Sequence, residues 1–225
     1  MADDLGVSRG CFYFDVHGEV NTFKTIELAH ARAEELAIEK VVVASETGLS
    51  ALEALKVFKD QRLIVVSSAA GTTVERTPIG DLMIGIPDEG VRGQLIDLGA
   101  TIVRGTDPFW NLGAHTQYID TGKLGMMFYK VFCGGIHVCM TAVLEATDAG
   151  HLEAGEETIA LAGSWVGLDT AVVVRACNSV DFFREFEVLE VICKPRRARY
   201  MWPINNVDWK GDMEKYRPHT RRREP

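Results

Sequence analysis

Apolar residues along this chain follow two alternating rhythms. Short runs at 41–45 and in RLIVVSS, ATIVRG, ETIALAG, TAVVVRA and LEVICKP are rich in β-branched residues and apolar on both faces. Such runs predict strands buried inside a sheet. Between them, apolar residues recur every three or four positions, as on the buried face of a helix. Phe23, Ile26, Ala29, Ala33 and Leu36 mark a helix from Asn21, a good N-cap, to about Ile38. Leu49, Leu52, Leu55 and Phe58 mark a second helix at 49–59, and Val91, Leu95 and Leu98 a third. Residues 123–149 are helical in pattern and split near Gly134 and Gly135, with Met126, Met127, Phe128 and Val131 reading as core. Residues 11–14 predict one more short strand.

Strands separated by helical segments predict a mostly parallel sheet covered on both faces, a three-layer α/β/α sandwich. The connection at 163–169 is too short for a parallel crossover, so the strand after it is expected to run antiparallel. The segment AAGTTVERTPIGDLMIGIPDEG reads as a Gly- and Pro-rich loop. TDPFWNLGAHTQYIDTG, with Trp110, His115 and Tyr118, has no period, and connections of that length are often lids or binding loops. Residues 1–197 are expected to form one domain, and 198–225 a basic, aromatic extension.

Composition narrows the function classes. At 47% apolar and 25% charged, the 225 residues have the balance of an ordinary globular protein. No apolar run approaches the roughly 18 residues of a membrane span. The opening MADDLGVSRG lacks the basic-then-apolar pattern of a signal peptide, which predicts a cytoplasmic protein. Cys11, Cys133, Cys139, Cys177 and Cys193 are odd in number and scattered, the usage of reduced thiols rather than a disulfide framework. Cys133 and His137 are four apart, but no second cluster completes a zinc set, so no metal is expected. The net charge of −8 is uneven: from Lys194 onward, ten Lys and Arg oppose four Asp and Glu. That tail carries no nucleic-acid motif. Its aromatics Trp202, Trp209 and Tyr216 predict docking on its own domain or on another subunit, hence a homo-oligomer without nucleic-acid or membrane partners.

Two loops carry candidate chemistry. In open α/β sheets, ligands bind beyond the carboxyl ends of the strands where the strand order reverses. SETGLSA, after the 41–45 strand, places Ser45, Thr47, Gly48 and Ser50 at a helix start, where backbone N–H groups and the helix dipole favour an anion. GSWVGLDT, after the fourth strand, offers Gly163, Ser164, Asp169 and Thr170. The reading is a phosphate site, although neither loop matches a standard phosphate-loop motif, and Ser45 and Thr47 as plain helix caps are the alternative. Glu46 is unfavourable beside an anion unless its carboxylate is directed elsewhere. Asn21 and Thr22 at their helix start, and Ser67 with Ser68, Thr72 and Thr73 after the second long strand, are further candidates for the same crevice. No nucleophile–base–orienter set emerges from spacing, so catalytic residues stay unassigned.

VVVASETGLSALEAL and IALAGSWVGLDTAVVV resemble the C-terminal α/β domain of pyruvate kinase, over roughly residues 20–195. The motifs VVVASETG, TDAG, GLDTAVVVRAC and EVICKPR resemble more closely the stand-alone pyruvate kinase α/β domain proteins. The resemblance implies that fold, and a turn at 45–50 that grips a ligand phosphate with help from the facing loop. It also implies a ligand such as flavin mononucleotide (FMN), and does not imply kinase activity, because the catalytic barrel is missing. The expected function is binding of a phosphate-bearing small molecule. The alternatives are a small flavin-dependent oxidoreductase and a structural module with a vestigial site.

Overall fold

The structure is a computed structural model, and it describes residues 6–77, 79–111, 121–197, 212 and 214–222. Ten strands and seven α-helices are described: β1 (Phe12–Phe14), α1 (Thr22–Leu36), β2 (Lys40–Ala44), α2 (Leu49–Leu55), β3 (Arg62–Ser68), β4 (Thr73–Thr77), β5 (Gly80–Met83), α3 (Glu89–Asp97), β6 (Thr101–Gly105), α4 (Pro108–Asn111), α5 (Thr121–Val131), α6 (Gly134–Asp148), β7 (Glu157–Ala162), β8 (Thr170–Arg175), α7 (Phe182–Glu185), β9 (Glu187–Pro195) and β10 (Arg221–Arg222).

Seven strands form the main sheet in the order β1-β9-β8-β7-β2-β3-β6. β8 runs antiparallel to both its neighbours, and the other pairings are parallel. The antiparallel turn expected at 163–169 is therefore real. The chain builds outward from β2 through β3 to β6, then returns to place β7 on the other side of β2. Val41, Val42 and Val43 of β2 pair with Ile159, Ala160 and Leu161 of β7.

Burial on both faces explains the unbroken β-branched runs. Val41 and Val43 point into one core with Ile26, Leu55, Leu63 and Leu95, while Val42 points into the other with Ile64, Val143 and Leu144. All three valines are fully buried, each worth about 1.5–3 kcal/mol relative to exposure. Helices α1, α2 and α3 cover the first face and α6 the second. The fold is thus a three-layer α/β/α sandwich. Among the described residues, no helix is long and apolar enough to cross a membrane.

Several local expectations are corrected. α2 stops at Leu55, short of the expected 59. Asn21 occupies the N-cap of α1 but makes no capping bond; its side-chain amide donates to the Val16 carbonyl instead, at 2.8 Å. The split expected near Gly134 and Gly135 is present: α5 ends at Val131 and α6 begins at Gly134, with the Cys133 sulfur accepting the Ile136 N–H. Gly135 is required there, because a Cβ would stand 2.1 Å from Thr170 Oγ1. Met127 and Val131 are 53% and 65% exposed rather than core. The loop after β3 contains the antiparallel pair β4–β5, to which β10 of the tail adds a third strand. His115, Tyr118, Trp202 and Trp209 lie outside the described residues.

Candidate ligand-binding site

The reversal of strand order between β2 and β7 brings the two loops singled out in the sequence to one cavity of about 260 Å³. Ser45, Glu46, Thr47 and Ser50 line it from the β2–α2 turn, and Gly163, Ser164, Trp165, Val166 and Gly167 from the β7–β8 loop. Val74, Ile79, Leu82 and Ile84 of the β4–β5 hairpin form an apolar roof, and Tyr129, Val138, Tyr216 and Thr220 complete the walls. Among the described residues, no Lys or Arg belongs to the lining, so the donors they offer an anion are neutral.

The turn is shaped by Gly48, whose φ of +84° is a left-handed value that L side chains resist. A Cβ there would also meet Val91 Cγ1 at 2.5 Å, so the turn packs directly on α3. Gly48 is the N-cap of α2 and supplies no side-chain bond. Ser45 does not cap, and Thr47 Oγ1 makes only a long contact with the Leu49 N–H, at 3.5 Å. The hydroxyls of Ser45, Thr47 and Ser50 are on buried residues that face the cavity.

Glu46 lines the same cavity with its charge engaged. Its carboxylate accepts from Ser67 Oγ at 2.9 Å, Ser68 Oγ at 2.7 Å, Ser68 N–H at 3.2 Å and Gly85 N–H at 3.3 Å. Ser67 is thereby a support for Glu46, not a lining residue.

The facing loop is held from beneath. Gly163 lies so close to the Gly167 carbonyl that a Cβ would stand 2.0 Å from its oxygen. Gly167, at φ +81°, packs on the Glu19 backbone, and the Leu168 N–H donates to Thr22 Oγ1 at 2.9 Å. Thr22 therefore anchors the loop without lining the cavity. Asp169 is completely buried, accepting from the Gly18 N–H at 3.1 Å, the Thr170 hydroxyl at 2.9 Å and the Ser164 hydroxyl. Burial pushes its carboxyl above the ordinary range, against these bonds and the opposing charge of His17. Asp169 and Thr170 thus lie behind the wall that Ser164 presents.

Sequence reasoning missed His17, Tyr129, Trp165 and the hairpin roof. His17 Nδ1 lies 3.1 Å from Ser164 Oγ, and both residues are buried. A histidine in DVHGEV carries no periodic signal, and only the folded loop brings it 147 positions along the chain. Trp165 lines the cavity, and among the described residues its buried indole N–H has no hydrogen-bond partner. Such a donor carries a desolvation cost of about 1–3 kcal/mol that a ligand acceptor would relieve.

A second polar cluster lies outside the cavity. His137 Nε2 is 2.9 Å from Asp107 Oδ2, and among the described residues its buried Nδ1 has no partner. Burial, reinforced by the charges of Asp107, Glu46 and Asp148, pushes the Glu145 carboxyl up to about 8. Among the described residues, no group of three or more His, Cys, Asp or Glu is arranged to hold a metal ion.

No family model matches the chain.

Proposed function

We propose that the protein binds a phosphate-bearing small molecule in the cavity between the β2–α2 turn and the β7–β8 loop, with FMN as the specific ligand. The observation that carries this reading is the pairing of β2 with β7 at the reversal of strand order, which opens both hydroxyl-bearing loops onto one cavity. The phosphate sits at the uncapped turn 47–50, where Thr47 and Ser50 donate hydroxyl bonds. The ring lies among Tyr129, Trp165 and the apolar roof, with the indole N–H donating to a ring acceptor. Bound FMN would supply redox capacity, and the protein's part in this reading is binding and orientation. The absorption spectrum of the purified protein, followed by titration with FMN and with riboflavin, tests it. A flavin band near ~450 nm, or FMN affinity well above that of riboflavin, supports it, because retention through purification requires tight binding. Equal affinity for the two flavins would remove the phosphate from the assignment.

A further inference from the structure

The cavity is smaller than the roughly 300–1,000 Å³ usual for small-molecule sites, and part of its wall comes from the far end of the chain. Residues 214–219 form a 3-10 turn, and Arg221 and Arg222 then pair with Met83 and Leu82 of the roof. Tyr216 is only 6% exposed and lines the cavity, as does Thr220.

Two carboxylates fasten this segment to the domain. Glu19 accepts from the Asp212 N–H at 3.0 Å, from Lys215 Nζ and from the Tyr216 hydroxyl. Burial alone would raise the Glu19 carboxyl, but these partners outweigh it and hold the group below its ordinary value. On the other side, Asp88 Oδ2 lies 2.8 Å from His219 Nδ1. Asp88 also caps α3 by accepting from the Gly90 and Val91 N–H groups. Between these fasteners the segment buries one aromatic ring and adds a two-residue strand to the roof. Local openings are drawn from segments of this kind.

We propose that residues 214–222 are a strap that closes the ligand cavity, fastened by Glu19 and Asp88, and that it lifts together with the β4–β5 roof to admit the ligand. The identity of that ligand rests on the reading above; the strap itself does not. Glu19 is the controlling fastener, because its backbone also supports Gly167 of the ligand-side loop. Strap and loop therefore share one foothold.

Hydrogen exchange on the full-length chain tests this with Glu19→Ala and Asp88→Asn, read by mass spectrometry and paired with stopped-flow association of FMN. In both variants, amides at 80–84 and 214–222 should exchange at least about tenfold faster, corresponding to about 1.4 kcal/mol of lost closure. Amides in β2 and β7 should keep their wild-type rates. FMN should associate faster in the variants than in the wild type. Unchanged exchange at 214–222 in both variants would overturn the strap, as would exchange already unprotected in the wild type. If Glu19→Ala also loosens β2 and β7, Asp88→Asn decides alone. Should FMN bind none of the three proteins while exchange behaves as described, the strap stands and the flavin assignment falls.

Discussion

Glu46 Oε1 accepts the Ser68 hydroxyl at 2.7 Å, tying the turn after β2 to the end of β3. The other carboxylate oxygen reaches the Gly85 N–H beyond the hairpin, and the Glu46 carbonyl accepts from the Ile86 N–H at 2.8 Å. One acidic residue in a site expected to hold an anion is thus a brace for the roof. Replacing Glu46 with Ala leaves the Ser67, Ser68 and Gly85 donors to water. We expect a loss of about 2 kcal/mol, or roughly 4–8 °C in melting temperature. Calorimetry of the variant checks this, and a change below about 1 °C would show that the carboxylate braces nothing.

The unpartnered indole of Trp165 makes a separate prediction. Trp165→Phe keeps an aromatic ring, a smaller one, and removes the N–H; the lost packing and the removed unmet donor oppose each other, so the melting temperature should shift by no more than about 4 °C. FMN affinity should drop about tenfold. Undiminished affinity would place the ring contact elsewhere in the cavity.

Glu145 predicts a pH dependence of stability. Its carboxyl rises from 4.5 to about 8 in the folded protein, chiefly through burial. The folded state therefore holds a proton that the unfolded state releases, and stability falls as pH rises across that interval. The contribution is complete below about pH 4.5 and lost once pH has passed about 8. Glu145→Gln removes the titration, so its melting temperature should fall less than the wild type's between pH 5 and pH 8, by several degrees. Parallel melting curves for the two proteins would contradict the assignment.

The layered architecture was legible because a strand buried on both faces must be apolar throughout, as VVV at 41–43 is. The antiparallel β8 followed from a connection too short to cross over. The facing of the two loops was legible only through the general rule for parallel sheets, and it located six of the lining residues: Ser45, Glu46, Thr47, Ser50, Gly163 and Ser164. Asn21, Thr22, Gly48, Ser67, Asp169 and Thr170, expected in the same crevice, do not line the cavity; they build or brace the loops around it. From sequence, a hydroxyl that grips a ligand and one that grips the backbone look alike. The hairpin roof was hidden because TVERT and GDLM are too short and too polar to show a period. Tyr216, read as an aromatic of an irregular tail, is buried in the cavity wall, held there by Glu19, nearly two hundred positions earlier in the chain. Contacts of that separation leave no local trace.

The measurement that bears most directly on the account is FMN affinity in Thr47→Glu beside the wild type, with melting temperature recorded for both. Thr47 faces the cavity from the turn preceding α2, so the substitution sets a carboxylate where the phosphate is assigned while leaving β2 buried. Losing two charge-assisted bonds would cost roughly 3–6 kcal/mol, about two to four decades of affinity, and the carboxylate of Thr47→Glu at the phosphate position should weaken FMN binding by more than that. Riboflavin, which lacks the phosphate, should bind both proteins alike. A folded Thr47→Glu protein that binds FMN as tightly as the wild type would contradict the assignment of the phosphate to this turn.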